Sequence, residues 1–261
     1  MYLHLPRRRA ALSFVCCALI LGGALAAAPL LADDSELPEA DEIIDRHIEA
    51  IGGEDAIRAH SSATAKGAFE APAVGMSADM TLYQVAPDQG MLHMNMHGIG
   101  ESVQVYNGEI GWSEDPMQGT RLLEGAELSA IKRQLGLHTE LQYEENYPER
   151  KTVGEAEWNG QAAFQVDLVD VDGNESSRYF AKDTGLLLGE EGSQTSEMGT
   201  WETSTTLGDY KEFGGVMFST STTTNIPAMG MEFILTIDSV TFDDVDPSVF
   251  EPSDAIKALL E

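Results

Sequence analysis

The chain has 261 residues, of which 43% are hydrophobic, and carries 44 acidic against 15 basic side chains for a formal charge of −29. That length suffices for one or two domains with a buried core. The charge balance repels phosphate backbones and anionic headgroups, which excludes a nucleic-acid-binding protein.

In chain order, Arg7, Arg8 and Arg9 precede an uncharged apolar run over 10–31, with Ala26, Ala27 and Ala28 near its end. A basic start, an apolar stretch and small residues predict a secretory signal peptide over 1–32. The alternative is an uncleaved anchor, since about 22 residues can just span a bilayer. Cleavage after Ala32 leaves 12 basic against 44 acidic side chains, a formal charge of −32. Such one-signed charge keeps a protein soluble and repels itself unless salt screens it. Both cysteines, Cys16 and Cys17, fall inside the run, so the exported chain has no disulfide and depends on its own core. The expected location is the periplasm, with no stable membrane insertion after cleavage.

Residues 33–261 read as a single domain. Over 37–51, Ala40, Ile43, Ile44, His47, Ile48 and Ile51 recur at helical spacing until Gly52 and Gly53 stop the pattern. A second short helix over 54–59 completes a helical hairpin spanning 37–60. His47 and His60 are expected to serve packing or a polar edge rather than a metal. From 64 to 242 the texture has period two, which predicts a long antiparallel meander of curved strands. Asn107-Gly108 and Asn159-Gly160 predict type I′ turns, and Asp172-Gly173-Asn174, Asp183-Thr184-Gly185 and Gly214-Gly215 mark further ones. One interruption, 125–136, sets Leu128, Ile131 and Leu135 on one face of a helix lying across the sheet. No internal repeat stands out. Residues 243–261 close the sheet, with Ser253 capping a last short helix. The fold class is therefore mainly β, of α+β type.

No zinc-protease, serine-hydrolase or nucleotide-loop motif occurs after residue 32. The chain is read as non-catalytic, with no cofactor. Met91, His93, Met94, Met96 and His97 include soft-metal ligand types, but strand alternation splits them between two faces. The oxygen-rich segment 170–174 lacks the late carboxylate of a calcium loop and coincides with an expected turn.

Several segments, in this order, carry a resemblance: Ile51-Gly52-Gly53-Glu54-Asp55-Ala56-Ile57, then Val105-Tyr106-Asn107-Gly108-Glu109-Ile110-Gly111-Trp112 and Trp158-Asn159-Gly160-Gln161-Ala162-Ala163-Phe164. They continue with Tyr179-Phe180-Ala181-Lys182-Asp183-Thr184-Gly185-Leu186-Leu187, Asp209-Tyr210-Lys211-Glu212-Phe213-Gly214-Gly215-Val216 and Val245-Asp246-Pro247-Ser248-Val249-Phe250. Over almost the whole chain after the leader, the sequence resembles the broader relatives of the outer-membrane lipoprotein-sorting proteins of the LolA/LolB-like superfamily. The resemblance implies a curved antiparallel sheet forming an unclosed half-barrel, with the helical hairpin before it and a helix covering its concave face. It also implies a periplasmic carrier whose hollow holds the acyl chains of a lipoprotein or another apolar ligand. An envelope scaffold that binds a protein partner without a lipid is the alternative.

Strand alternation selects the candidate ligand-binding residues: Met80 with Leu82, Leu92 with Met94 and Met96, Ile110 with Trp112, and Met231 with Phe233. These residues either fill a core against the helix near 128–135 or line a cavity, and unbranched thioethers, which repack around variable chains, add to the cavity reading.

Overall fold

The computed structural model describes residues 37–196 and 199–261; the leader read over 1–32 lies outside the described residues. Thirteen strands form one antiparallel sheet: β1 Ser62–Ala71, β2 Met76–Val85, β3 Gln89–Met96, β4 Gly100–Tyr106, β5 Gly111–Asp115, β6 Gly119–Leu123, β7 Glu149–Trp158, β8 Gln161–Val169, β9 Glu175–Ala181, β10 Leu187–Ser196, β11 Gly199–Phe213, β12 Val216–Ile226 and β13 Met231–Phe242. Their spatial order is β6-β5-β4-β3-β2-β1-β13-β12-β11-β10-β9-β8-β7. Two meanders of sequential hairpins are thus joined where the first strand pairs with the last. The sheet stays open, because β6 and β7 are its two edges.

That topology dictates where the helices lie. The chain must pass from one edge to the other between Leu123 and Glu149, and it does so through α3 Gly125–Leu135, a 3₁₀ turn at Thr139–Gln142 and α4 Tyr143–Asn146. Helix α3 packs Ile131 and Leu135 on Tyr106 and Leu123, with Leu82 and Leu92 beside them. Its seat is made of glycine: a Cβ on Gly90 would lie 2.3 Å from the Leu135 Cβ, and one on Gly111 2.5 Å from Leu128. Glycine within a strand marks this kind of close approach.

Helices α1 Ala40–Ala50 and α2 Gly53–Arg58 cover the other meander. Ile43, Ile44, Ile48, Ile51 and Ile57 bury against Val166, Leu168, Phe180, Leu187 and Val216, as the 3.6-residue stripe predicts. Gly52 has φ 128, and a Cβ there would sit 2.4 Å from the Gly215 carbonyl oxygen, so only glycine links the two helices at this approach. A middle cluster of Ala63, Ala65 and Val240, with Leu82, Leu137, Phe218 and Phe242, connects the two helix-covered regions. All these groups belong to one face of the sheet, the inner face.

The opposite face is covered as well. Val105 and Trp112 are buried there with Phe250 and Ile256 of the C-terminal segment, which carries the helix α5 Asp254–Leu259 capped by the Ser253 hydroxyl. Trp158 packs with Ala163, Tyr179, Ala181 and Leu188 elsewhere on that face.

The turn expectations divide. Asn159 and Gly160 both have positive φ between paired Trp158 and Gln161, as a type I′ turn requires. At Asn107-Gly108 only the glycine is left-handed. The loop runs on to Ile110, because the Asn107 side chain accepts bonds from the Glu109 and Ile110 amides and makes an Asx turn instead. The expectation of no repeat also needs correction. Pro72-Ala73-Val74-Gly75-Met76 and Pro227-Ala228-Met229-Gly230-Met231 form two matching 3₁₀ turns, each ended by a left-handed glycine, on hairpins whose strands β1 and β13 are neighbours.

Candidate functional site

The inner face can be followed strand by strand, because residues directly opposite one another share a face. Met80 pairs with Met94, Leu82 with Leu92 and Ala78 with Met96 across β2 and β3. On the other side of β2, Gly67 of β1 lies opposite Met80 and Phe69 opposite Ala78. Strand β1 then carries the face to β13, where Gly67 meets Ile237 and Phe69 meets Leu235. Phe233 and Met231 follow by alternation. Seven of the nine candidate residues therefore fall on one continuous surface built from four adjacent strands.

Ile110 and Trp112 do not. Gly111 is the inner-face residue, paired with Tyr106, and the residues either side of it point outward. Trp112 lies opposite Val105 and is buried under Phe250 and Ile256, with Ile110 at the edge of the same cluster. Period two identified the pair correctly, but the C-terminal segment buries the outer face of β5, so the strand's apolar side is the outer one.

Helix α3 covers only part of the inner face. Its last turn rests on Gly90, and Met94 lies four residues further along β3, about 13 Å at strand rise. Beyond α3, Phe69, Met94, Phe233 and Leu235 are half-buried, whereas Met80 and Met96 are buried among their neighbours. The surface carries thioethers, aromatic rings and branched aliphatics, so it offers dispersion contacts and desolvation rather than bond-making groups.

Several polar groups on the helical face pair with one another. Arg178 donates to Glu190 at 2.8 Å and to the Tyr147 hydroxyl at 2.7 Å, and its guanidinium lies 4.7 Å from the Tyr147 ring centroid. Opposite charges keep Arg178 protonated despite burial, while burial pushes the Tyr147 phenol up. Alternation places Arg178 there, in line with Glu190, but nothing in its local sequence signals the pairing. His47 is buried, donates Nδ1 to the Gly185 carbonyl at 3.1 Å and tilts against Phe180; burial lowers its pKa. The 170–174 loop spends its carboxylates on Arg133 of α3, with Asp170 at 2.8 Å and Asp172 at 2.9 Å. His93 and His97 face away from Met94, with Glu101 and Asp79 as their respective partners.

A separate cavity of about 210 Å³ lies under α1, lined by Ile43, Arg46, Phe164 and Phe180 among others. It is smaller than drug-sized ligand sites, which start near 300 Å³. No helix among the described residues is long and apolar enough to cross a membrane.

No protein-family model and no curated protein matches the chain in sequence. Solved structures match in fold. A DUF1329 family protein from Desulfovibrio piger aligns with a TM-score of 0.60 at 11% identity, covering 83% of this chain and 98% of that one. A LolA superfamily protein from Nitrosomonas europaea gives 0.59 at 9% identity, over 83% and 99% of the two chains. A putative outer membrane lipoprotein-sorting protein domain from Vibrio parahaemolyticus gives 0.57 at 12%, over 85% and 99%. The open antiparallel sheet with helices on its inner face is thus a LolA-like fold.

Proposed function

We propose that the protein is a non-catalytic periplasmic carrier that holds the acyl chain of a lipoprotein, or another apolar ligand, on its inner face. The observation that supports this most is the strip of Met94, Phe69, Phe233 and Leu235, which stays half-buried between two helix-covered regions. A strip of this composition transfers apolar surface out of water at about 25 cal/mol per Å² when a chain lies on it. The solved structures of similar fold include a putative outer membrane lipoprotein-sorting protein domain, which agrees with the ligand class. Met80, Leu82, Leu92, Met94, Met96, Met231 and Phe233 form the proposed binding surface; Ile110 and Trp112 are left out of it.

The scaffold alternative needs an accessible strand edge. Edge strand β7 is interrupted by a register shift between Thr152 and Gly154, and α5 packs on the outer face beside the other edge strand, β6. Bulges and covering elements of this kind blunt edge-to-edge pairing, which favours the carrier. Native mass spectrometry of the protein purified from its own envelope tests the choice. Co-purified lipid supports the carrier; a stoichiometric polypeptide in place of lipid overturns it.

A further inference from the structure

Four consecutive hairpins of the sheet end on the same rim: β5–β6, β3–β4, β2–β1 and β13–β12. Each exposes one large apolar side chain in its turn. Met117 is 63% exposed, Ile99 44%, Val74 58% and Met229 45%, and they make up four of the nine exposed large hydrophobics among the described residues. The turns share a construction that thrusts these side chains outward. Each closes through a positive-φ glycine, Gly119, Gly100, Gly75 and Gly230 in the same order, and three of those glycines have open space around the missing Cβ. The fourth, Gly100, faces Pro116 of the next tip, so neighbouring tips stand side by side. Paired strands are about 4.8 Å apart, which spaces successive tips by roughly 10 Å.

The opposite rim is built differently. Its turns among the same strands are Pro87-Asp88, Asn107-Gly108-Glu109, Gly214-Gly215 and Asp243-Asp244, and none exposes a large hydrophobic. A soluble surface scatters such residues singly; one at each of these four tips and none at the four turns opposite is a pattern that marks an interaction surface.

The row also has a charge signature. Glu101, Glu114, Asp115 and Glu232 lie within three residues of the tip side chains or their glycines, with Arg121 the nearest cation in sequence, bound to Glu127. Separate apolar fingers, spaced apart and ringed by carboxylates, suit a fluid apolar medium that admits each finger independently. A folded protein partner would need a complementary pocket for each. We propose that this rim docks the protein on a lipid bilayer whose headgroups are zwitterionic, with Val74, Ile99, Met117 and Met229 inserted at the headgroup–acyl boundary. The proposal builds on the carrier reading, because Met96, Phe69 and Met231 bring the inner apolar strip up to this same rim and give an acyl chain a continuous apolar path from bilayer to hollow.

The test uses the full chain with Cys16 and Cys17 replaced by Ala and an environment-sensitive fluorophore at Val74→Cys or Met229→Cys, compared with Glu109→Cys on the opposite rim. With phosphatidylcholine vesicles both rim labels are expected to shift to the blue with a several-fold rise in emission, while the Glu109 label stays unchanged. Replacing a third of the lipid with phosphatidylglycerol is expected to reduce the shift. No shift at the rim, an equal shift at Glu109, or a stronger one on anionic vesicles overturns the proposal. So does a shift produced without vesicles on raising protein concentration, which would assign the rim to a second copy of the chain. Uptake of a fluorescent fatty acid from solution is measured on the same samples. Uptake without rim insertion removes the docking proposal alone, and insertion without uptake removes the carrier reading alone.

Discussion

The rings of Phe69 and Phe233 stack with centroids 5.7 Å apart and planes at 23°, across the seam where β1 pairs β13. These residues are 164 positions apart in sequence, and their contact merges the inner surfaces of the two meanders into one strip. Aromatic pairs of this kind contribute about 0.5–1.5 kcal/mol beyond their burial. The pair therefore both joins the two meanders and floors the proposed binding surface.

Substituting Gly90 tests how α3 is held. Gly90→Ala forces a Cβ to 2.4 Å from the Leu135 carbonyl oxygen, a backbone atom that cannot swing aside. Overpacking of this type costs about 1–3 kcal/mol. The expected outcome is a lower melting temperature together with faster hydrogen exchange confined to 125–137. Unchanged exchange over that stretch would contradict the glycine seat.

Trp112 separates the two faces. It is 2% exposed beneath Phe250 and Ile256, and Trp112→Ala should cost about 3–5 kcal/mol by leaving a cavity. Apolar-ligand affinity, measured where the variant is still folded, should match that of the parent. Lost affinity at full folding would place Trp112 on the binding surface after all.

His60 gives the fold a pH dependence of known sign. Its Nε2 donates to the Gly214 carbonyl at 2.8 Å and its Nδ1 to Asp243 at 3.2 Å, while the ring stacks on Phe242 at 3.7 Å. Two acceptors require both ring nitrogens to be donors, so the carbonyl of Gly214 first and then Asp243 raise the imidazole pKa. Asp243 in turn is held at about 2, chiefly by the Ser61 amide. A raised histidine contributes stability that is complete below its unfolded value near 6.5 and is lost as pH climbs through the folded value. Buried His47 works in the other direction: its contribution is present above 6.5 and lost as pH falls toward its lowered value. His60→Gln should therefore remove the loss of stability on going from pH 6.5 to 8 and leave the loss below 6.5 in place. Melting curves between pH 5 and 8 check this; a parallel offset at every pH would contradict the protonated clamp.

Much of the fold was legible because local pattern and tertiary role coincided. The isoleucine stripe of α1, the Asn159-Gly160 turn, the Ser253 cap and the face shared by Met80, Leu82 and Met94 all follow from spacing and turn chemistry that packing then reinforced. Trp112 lies on the outer face because the C-terminal segment buries that side of its strand, while the inner side carries Gly111 and Ser113, so the apolar side of β5 is not the inner one. The pairing of β1 with β13 left no local trace, since a register between distant strands depends on which faces must be buried together. The twin turns at Val74 and Met229 were visible as Pro-Ala-x-Gly-Met repeats, yet their meaning required knowing that both tips stand on one rim.

The carrier account is tested most directly by titrating a fluorescent fatty acid against the parent protein and Met94→Asp, with circular dichroism on both. Met94 is half-buried on the strip beyond α3, so the account predicts saturable uptake by the parent, and loss of that uptake by a variant whose spectrum and melting curve remain those of a folded sheet. A parent that takes up no probe, or a Met94→Asp variant that unfolds outright, would mean that the inner face is a filled core and would contradict the account.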